Sequence, residues 1–166
     1  PSWRGEYEIT ELIQWFVDNG YRVTYSTITG WWKDVGTYES LLDALYILLD
    51  RIEPRIDGKV YGEIRGRVIV EKEAVINGSV YGPAYIGRNV IVEKNATIDH
   101  YVSVEQGSRI VSGNIMRSMI LDHAEININK ARLIDSVIGS HSSVKCYKDI
   151  YGDIRLIISD YSKVYL

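Results

Sequence analysis

The chain has 166 residues, a net charge of −3 and a pI of about 5.6, and it is 46% hydrophobic and 25% charged. The composition is that of a globular protein, and the length suffices for one domain or one and a half. The sequence has no basic stripe that would bind nucleic acid. We find no signal peptide and no apolar run near the ~18 residues of a membrane helix, so we expect no membrane partner. The single cysteine, Cys146, excludes an internal disulfide, and we expect a reducing, cytoplasmic location.

The first part of the chain, residues 1–53, reads as a helix, a strand, a loop and a second helix. Thr10 is the expected N-cap of the first helix, and Asn19-Gly20 is its expected end because glycine suits a left-handed cap. Residues 21–29 alternate in polarity and predict a strand.

A loop at residues 30–36 leads to the second helix, for which Thr37 is the expected N-cap. Its apolar residues recur at helical spacing until about Ile52, and Pro54 marks a domain boundary. One strand cannot form a sheet alone. We therefore interpret residues 1–53 as the tail of a larger α/β domain whose first part lies before Pro1.

A strict six-residue repeat dominates residues 54–166. Val or Ile recurs at every sixth position, and a small or short residue lies two positions before each later member. The repeated residues are Val80, Ile86, Val92, Ile98, Val104 and Ile110, and the small ones are Ala84, Val90, Ala96, Val102 and Ser108. A period of six fits neither a half-buried strand nor a helix, but it fits a solenoid of short parallel strands. A β-sandwich with chance spacing is the alternative.

Longer segments also recur, with offsets of 22 and 20 residues. Residues 68–76 return as 90–98, and residues 58–62 return as 78–82. We interpret this offset as one triangular coil, and we predict about five coils over residues 56–146. Residues 147–166 are predicted to form a closing pair of strands, because the end of a solenoid needs a cover.

Two stretches of the first part resemble the C-terminal part of the sugar-1-phosphate nucleotidylyltransferase core, and most of all that of the glucose-1-phosphate thymidylyltransferases. They are Arg4-Gly-Glu-Tyr-Glu-Ile-Thr10 and Trp32-Lys-Asp-Val-Gly-Thr37. Long, archaeal-type members carry a left-handed parallel β-helix of hexapeptide repeats after this core. The repeats here and the ending Gly152–Leu166 resemble theirs. The resemblance therefore implies a mainly β fold, a left-handed β-helix preceded by an α/β remnant.

The same resemblance implies functional residues. Asp34 is similar to an aspartate that binds Mg²⁺ in the complete enzyme, and Trp32 is similar to a residue beside the sugar. The implied reaction joins a sugar 1-phosphate to dTTP and releases pyrophosphate, and the implied cofactor is Mg²⁺. Glu6 and Glu8 match the motif and are expected to be structural. From spacing alone, a solvated loop carboxylate before a helix is the favoured interpretation of Asp34.

No catalytic set is complete in this chain. The phosphate-cradling G-x-G-T-R-L loop of the family has no counterpart here, and neither has its second metal-binding aspartate. We therefore expect the chain alone not to bind a nucleoside triphosphate productively and to be inactive.

Two other function classes remain open. Many hexapeptide β-helices are acetyl-CoA-dependent acyltransferases that use a histidine, and the candidates here are His100, His123 and His141. Alternatively, the β-helix serves oligomerisation or regulation, with a homotrimer favoured over a dimer. The tyrosines suit a buried contact with a partner or with the chain's own helices; they include Tyr61, Tyr81, Tyr85 and Tyr101.

Overall fold

The computed structural model describes residue 5 and residues 7–166, and these form two compact units. One unit ends at Trp32 and the other runs from Lys33 to Leu166. Arg4 and Glu6, which belong to the sequence motif above, lie outside the described residues. The predicted domain boundary between residues 53 and 54 stays a prediction.

The described part of the N-terminal unit has one helix, α1 (Ile9–Asp18). The predicted cap at Thr10 is wrong, because the helix begins at Ile9 and the N-cap position is Glu8, whose side chain makes no capping hydrogen bond. The predicted end is confirmed: Asn19 follows the helix, and Gly20 adopts a φ of 76°.

The predicted strand at residues 21–29 is absent from the described part of the chain. The alternation of polarity is present, but no described strand pairs with this segment, and an extended segment becomes a strand only through such pairing.

The larger unit contains α2 (Tyr38–Leu49) and short strands that are all parallel to their neighbours. The strands are β1 (Arg55–Ile56), β2 (Lys59–Val60), β3 (Glu63–Arg65), β4 (Val68–Val70), β5 (Val75–Ile76), β6 (Ser79–Tyr81), β7 (Ala84–Ile86), β8 (Ile91–Ile98), β9 (Val102–Val104), β10 (Arg109–Met116), β11 (Met119–Ile120), β12 (Glu125–Ile134), β13 (Val137–Ile138), β14 (Ser143–Lys145), β15 (Asp153–Ile154), β16 (Ile157–Ile158) and β17 (Lys163–Tyr165). None of the described helices is long and apolar enough to cross a membrane.

The strands wind into a β-solenoid of about six turns, consistent with the left-handed parallel β-helix expected from the sequence. One face is the sheet β1-β4-β7-β9-β11-β13-β16. A second runs β2-β5-β8-β10-β12-β14-β17, and a third has β3, β6 and the ends of the long strands. The mainly β fold class is therefore confirmed.

The hexad ladder forms the interior of this solenoid. Each of its six repeated residues is fully buried, and consecutive hexads lie on successive faces because one hexad spans one strand and one corner. Residues three hexads apart stack directly, as Val92 on Ile110 and Ile86 on Val104 show. The small residues of the pattern are also buried, and the largest exposed fraction among them is 2%, at Ala96.

Two details of the predicted coil are wrong. The paired residues are 15 to 18 apart through the central coils, as Ser112 with Asn127 and Ser103 with Tyr85 show, and not 20 or 22. The matching segments do not stack, because residues 68–70 lie on the first face whereas residues 91–92 lie on the second. Strands β15 to β17 pair in parallel with β12 to β14, so residues 153–165 continue the coil and do not form a separate closing pair.

Helix α2 packs on the face that contains β13. Leu42, Leu45 and Leu49 form a cluster with Val137, and Tyr85 and Tyr101 pack against it. At this helix the tyrosines contact their own chain, which is one of the two alternatives for them. Tyr46 donates a hydrogen bond from its hydroxyl to the Arg117 carbonyl at 3.2 Å, and Tyr101 donates to Asp50 at 3.0 Å.

The predicted N-cap of α2 is confirmed. The Thr37 hydroxyl accepts from the Ser40 backbone N–H at 3.2 Å, and the Ser40 hydroxyl accepts from the Thr37 backbone N–H at 3.0 Å. This reciprocal pair satisfies two backbone donors at the helix start.

Replacing the cap should therefore weaken the helix that covers the solenoid. We expect Thr37→Ala to lower the free energy of unfolding by about 1 kcal/mol, whereas Thr37→Asp should retain most of it. Equilibrium denaturation in urea measures both values. Equal stability of Thr37→Ala and the wild-type chain would contradict the capping role.

Candidate functional site

The loop before α2 holds the metal-binding residue expected from the sequence. Lys33 forms an ion pair with Asp43 of α2 at 2.7 Å, which ties the middle of the loop to the helix. Asp34 is exposed, and it forms no ion pair with any residue in the described part of the chain. The capped helix thus fixes the C-terminal end of the loop, while the Asp34 carboxylate faces solvent.

Asp34 offers a single carboxylate, which could bind Mg²⁺ only together with ligands from elsewhere. Among residue 5 and residues 7–166, no three His, Cys, Asp or Glu side chains are grouped so that they could hold a metal. Mg²⁺ typically takes one or two carboxylates and completes its shell with phosphate oxygens and water. Asp34 could therefore supply one oxygen ligand, but the described residues do not form a cage around an ion.

The glycine of the motif has a smaller role than its position suggests. A Cβ built on Gly36 would meet no atom within 4 Å, and its φ lies outside the left-handed region. The loop before α2 therefore does not depend on glycine for its course. The described contacts that fix it are the Thr37 cap and the Lys33 ion pair.

Trp32, the predicted substrate contact, is the last residue of the N-terminal unit. Its side chain is 69% exposed. Exposure leaves the indole available to a ligand, and aromatic rings commonly pack against sugars and other partly apolar surfaces. The structure does not test this role, which stays a prediction.

The N-terminal unit exposes an unusually apolar surface. Helix α1 has no buried residue, and it carries Leu12, Trp15, Phe16 and Val17 with exposed fractions between 36% and 52%. Trp15 and Phe16 both pack on Tyr21, with ring centroids 5.8 and 5.5 Å apart. An amphipathic helix normally buries such residues, so this surface is typical of one that packs against further protein.

The three histidines do not form one site. His123 and His141 stack with ring centroids 4.9 Å apart, and Tyr161 extends the stack at 5.0 Å. His123, His141 and Tyr161 have a positive φ of 55° to 58°, because they occupy the same corner in successive coils. His100 is placed elsewhere, and its Nδ1 lies 2.7 Å from the Gly82 carbonyl oxygen.

A carboxylate accompanies the histidine stack. Asp122 lies 4.0 Å from His141 Nε2, and it accepts a hydrogen bond from the Ser140 hydroxyl at 2.6 Å. That hydrogen bond is the main reason why the pKa of Asp122 is lowered below its usual value. From the sequence we did not bring these side chains together, although His123 and His141 are 18 residues apart, the separation at which members of the hexad ladder stack.

A bidentate ion pair lies beside α2. Arg117 donates from Nε to Asp135 at 2.7 Å and from Nη2 at 2.9 Å. The hydrogen bond from Arg117 lowers the pKa of the Asp135 carboxyl and is its largest cause. A carboxyl with a lowered folded pKa stabilises the fold above its unfolded pKa and loses that contribution as the pH falls through the folded pKa.

This pair predicts a specific dependence of stability on pH. At neutral pH we expect Arg117→Gln to lower the free energy of unfolding by up to about 1 kcal/mol, since both partners are partly exposed. The difference in the free energy of unfolding between wild type and variant should shrink as the pH falls below 3.8, the usual pKa of an Asp carboxyl. Urea denaturation at several pH values measures it. A difference that persists undiminished in acid would contradict the ion-pair role.

The described residues form a β-helix that is preceded by two helices and a connecting loop. Residues 1–51 match the family model described as nucleotidyl transferase. The glucose-1-phosphate thymidylyltransferase of Streptomyces griseus is 34% identical over 98% of this chain and 46% of its own length. That of Streptomyces antibioticus is 36% identical over 99% of this chain and 46% of its own length. The bifunctional protein GlmU of Methanococcus maripaludis is 35% identical over 46% of this chain and 19% of its own length.

The chain is thus a homologue of glucose-1-phosphate thymidylyltransferases over nearly its whole length. This confirms the resemblance found in the sequence. The chain spans about half the length of these relatives.

Proposed function

We propose that the chain is the C-terminal portion of a glucose-1-phosphate thymidylyltransferase. The complete enzyme would join dTTP to a sugar 1-phosphate and release pyrophosphate. The observation that carries this proposal is the identity of 34–36% to enzymes of that name across both the loop segment and the β-helix. The exposed apolar surface of α1 supports it, because the missing part of an α/β domain would cover that surface.

In this proposal Asp34 supplies one carboxylate oxygen to Mg²⁺, which neutralises phosphate charge when bound. Asp34 is suited to that role because it is exposed and is not neutralised by an ion pair with the described residues. Trp32 contacts the sugar with its exposed indole. Asp34 and Trp32 thus bind and orient the metal and the sugar, while the groups that hold the triphosphate come from the absent half.

The chain alone should therefore be inactive. We expect no pyrophosphate from dTTP and glucose 1-phosphate with residues 1–166, and we expect pyrophosphate when the nucleotide-binding half is present. A coupled pyrophosphate assay on residues 1–166 alone and on the complete protein measures this difference. Turnover by residues 1–166 alone would contradict the division of the site.

We further propose that the β-helix serves oligomerisation or regulation and that the protein forms a homotrimer. Closed symmetry is the usual outcome for identical subunits, and flat parallel faces suit side-by-side packing. Sedimentation equilibrium at micromolar concentration tests this proposal. A monomer at all concentrations would remove it, and a dimer would correct the stoichiometry.

Acyl transfer is the second candidate function. The observations that favour it are the stacked pair His123 and His141 beside Asp122 and the similarity to a bifunctional relative. Acyl transfer would need a histidine with a free ring nitrogen next to an acceptor group. We expect no acetyl-CoA turnover, and a turnover that His141→Ala lowers by about 10²–10⁴ would establish this second function.

A further inference from the structure

The last coil of the solenoid, residues 153–165, has no cover of its own. The closing pair of strands expected from the sequence is absent, since β15, β16 and β17 continue the winding. In the part of the chain that the structure describes, each of these three strands pairs with a neighbour on one side only. Such edges are templates for pairing with a further strand, and the three edges here follow the triangular outline of the coil.

The apolar interior of the solenoid reaches the surface at this end. Ile138 and Val144, in the preceding coil, are fully buried. Ile158 and Val164, which stack on them, are only partly buried, and so is Ile154. Terminal repeats of solenoids normally carry a polar outer face. The end of this solenoid therefore presents apolar side chains where a cover is needed.

Exposed aromatic side chains surround the same end. Between residues 62 and 146 no large hydrophobic side chain is exposed, whereas the last coil and the corner before it expose four tyrosines. Their exposed fractions lie between 56% and 75%, and they are Tyr147, Tyr151, Tyr161 and Tyr165. The rings of Tyr147 and Tyr165 stack with centroids 5.6 Å apart. Exposed apolar surface rich in tyrosine is typical of a protein–protein contact.

The outline of the end indicates what kind of partner fits it. A helix or a single strand would pair with one edge at most and would leave the other two open. A second coil of the same size would meet all three edges and the apolar interior at once, and a second copy of this chain carries such a coil.

The charges of this end do not oppose contact with a second copy. Although the whole chain has a net charge of −3, residues 147–166 carry three basic and three acidic side chains. They are Lys148, Arg155 and Lys163, and Asp149, Asp153 and Asp160. Two copies of this end are therefore neutral towards each other.

We propose that the last coil docks on the last coil of a second copy, with the two β17 strands antiparallel about a two-fold axis at Val164. The axis sets Val164 against Val164 of the second copy, which closes the two apolar interiors. Lys163 then lies opposite Tyr165 of the second copy, so no like charges meet in this pair. A lysine is also attracted to the face of a tyrosine ring.

The same axis serves the other two faces of the coil. It sets β15 of each copy along β16 of the other, so all three edges gain a partner. The contact is isologous and therefore closed, which limits it to two solenoids. It differs from the side-by-side trimer proposed above, which it would double to a hexamer, and it does not depend on the proposed nucleotidyl transfer.

Cysteine cross-linking of residues 1–166 tests the position of the axis. In a Cys146→Ser background, Val164→Cys sets two thiols opposite each other, and directly opposed Cβ atoms lie about 4.5–5.5 Å apart, close to disulfide range. We expect oxidation to give a covalent dimer that a reducing agent splits. Val60→Cys is the matched control, because Val60 lies in the same interior column at the opposite end of the solenoid. It should give no covalent dimer.

Sedimentation velocity of charged variants measures the contact without cross-linking. Val164→Asp places two like charges at the axis, and the largest species should then have half the mass of the wild-type species. Tyr61→Asp, at an exposed residue of the first coil, should keep the wild-type mass. Circular dichroism establishes the fold of both variants, and the cross-linking result decides alone if Val164→Asp folds poorly.

Three contrary results are distinct. Absence of a covalent dimer in Val164→Cys at concentrations up to millimolar would overturn the proposal. A cross-link that forms only when Val164→Cys and Val60→Cys are mixed would mean that solenoids stack head to tail, and it would also overturn it. Equal cross-linking of Val60→Cys and Val164→Cys, each alone, would mean random collision and no specific contact.

Discussion

The Asp34→Asn variant of the complete enzyme is expected to lose at least about 100-fold in nucleotidyl transfer, of the order of one strong electrostatic contact. The change keeps the size of the side chain but removes a charge from a hard-cation site. Higher Mg²⁺ should rescue part of the loss, since the affinity for the metal is what weakens. Stability should change little, because the Asp34 side chain is exposed and makes no ion pair with described residues.

Steady-state kinetics against Mg²⁺ concentration, with a melting curve on the same sample, measures both effects. Glu39→Gln is the matched control, because Glu39 is an exposed carboxylate in the first turn of α2. We expect its activity to stay near that of wild type. Activity of Asp34→Asn within about threefold of wild type at low Mg²⁺ would refute the metal role, since one lost oxyanion-type contact costs far more.

Ile110→Ala is expected to cause the largest loss of stability, about 2–5 kcal/mol. Ile110 is fully buried in β10, between Val92 on one side and Ile126 on the other. Truncation removes its buried methyl groups and leaves a cavity that strands on both sides keep open. The loss should appear as a lower denaturation midpoint in urea.

Val111→Ala is the control on the same strand. Val111 is half-buried and points away from the interior, so we expect a loss below about 1 kcal/mol. A β-helix predicts this difference in stability loss between adjacent residues, because only one of the two side chains lies in the interior of the coil. Equal losses at Ile110 and Val111 would contradict the assignment of the hexad to the interior.

The interior could be predicted from the sequence because it repeats. Residues such as Val80 and Ile98 carry the period of the coil directly, and all members of the ladder are buried. The cap at Thr37 was also predictable, since its hydrogen bonds lie within four residues. Local hydrogen-bonding chemistry and strict periodicity can therefore both be recognised in a sequence whose fold is not known.

The register could not be predicted from repeated segments. Corners of the coil differ in length, so similar segments such as residues 68–76 and 90–98 need not stack. The same irregularity creates the cavity that Asn114 and Lys130 line. Such features depend on which residues face each other across coils, and only the structure provides that.

The docked position of α2 was also beyond the sequence. Its apolar residues predicted a buried face, but not that Leu45 would meet Val137, ninety-two positions away. The Tyr46 hydroxyl, which completes the docking, donates to the backbone carbonyl of Arg117, and such a hydrogen bond leaves no periodic signal in the sequence.

The most direct test of the account is the reaction itself. The protein that joins residues 1–166 to the nucleotide-binding half should convert dTTP and glucose 1-phosphate to dTDP-glucose and pyrophosphate. The conversion is measured by ³¹P NMR. Both products should accumulate together and only with Mg²⁺ present. Absence of both products from a folded protein with Mg²⁺, dTTP and glucose 1-phosphate would contradict it.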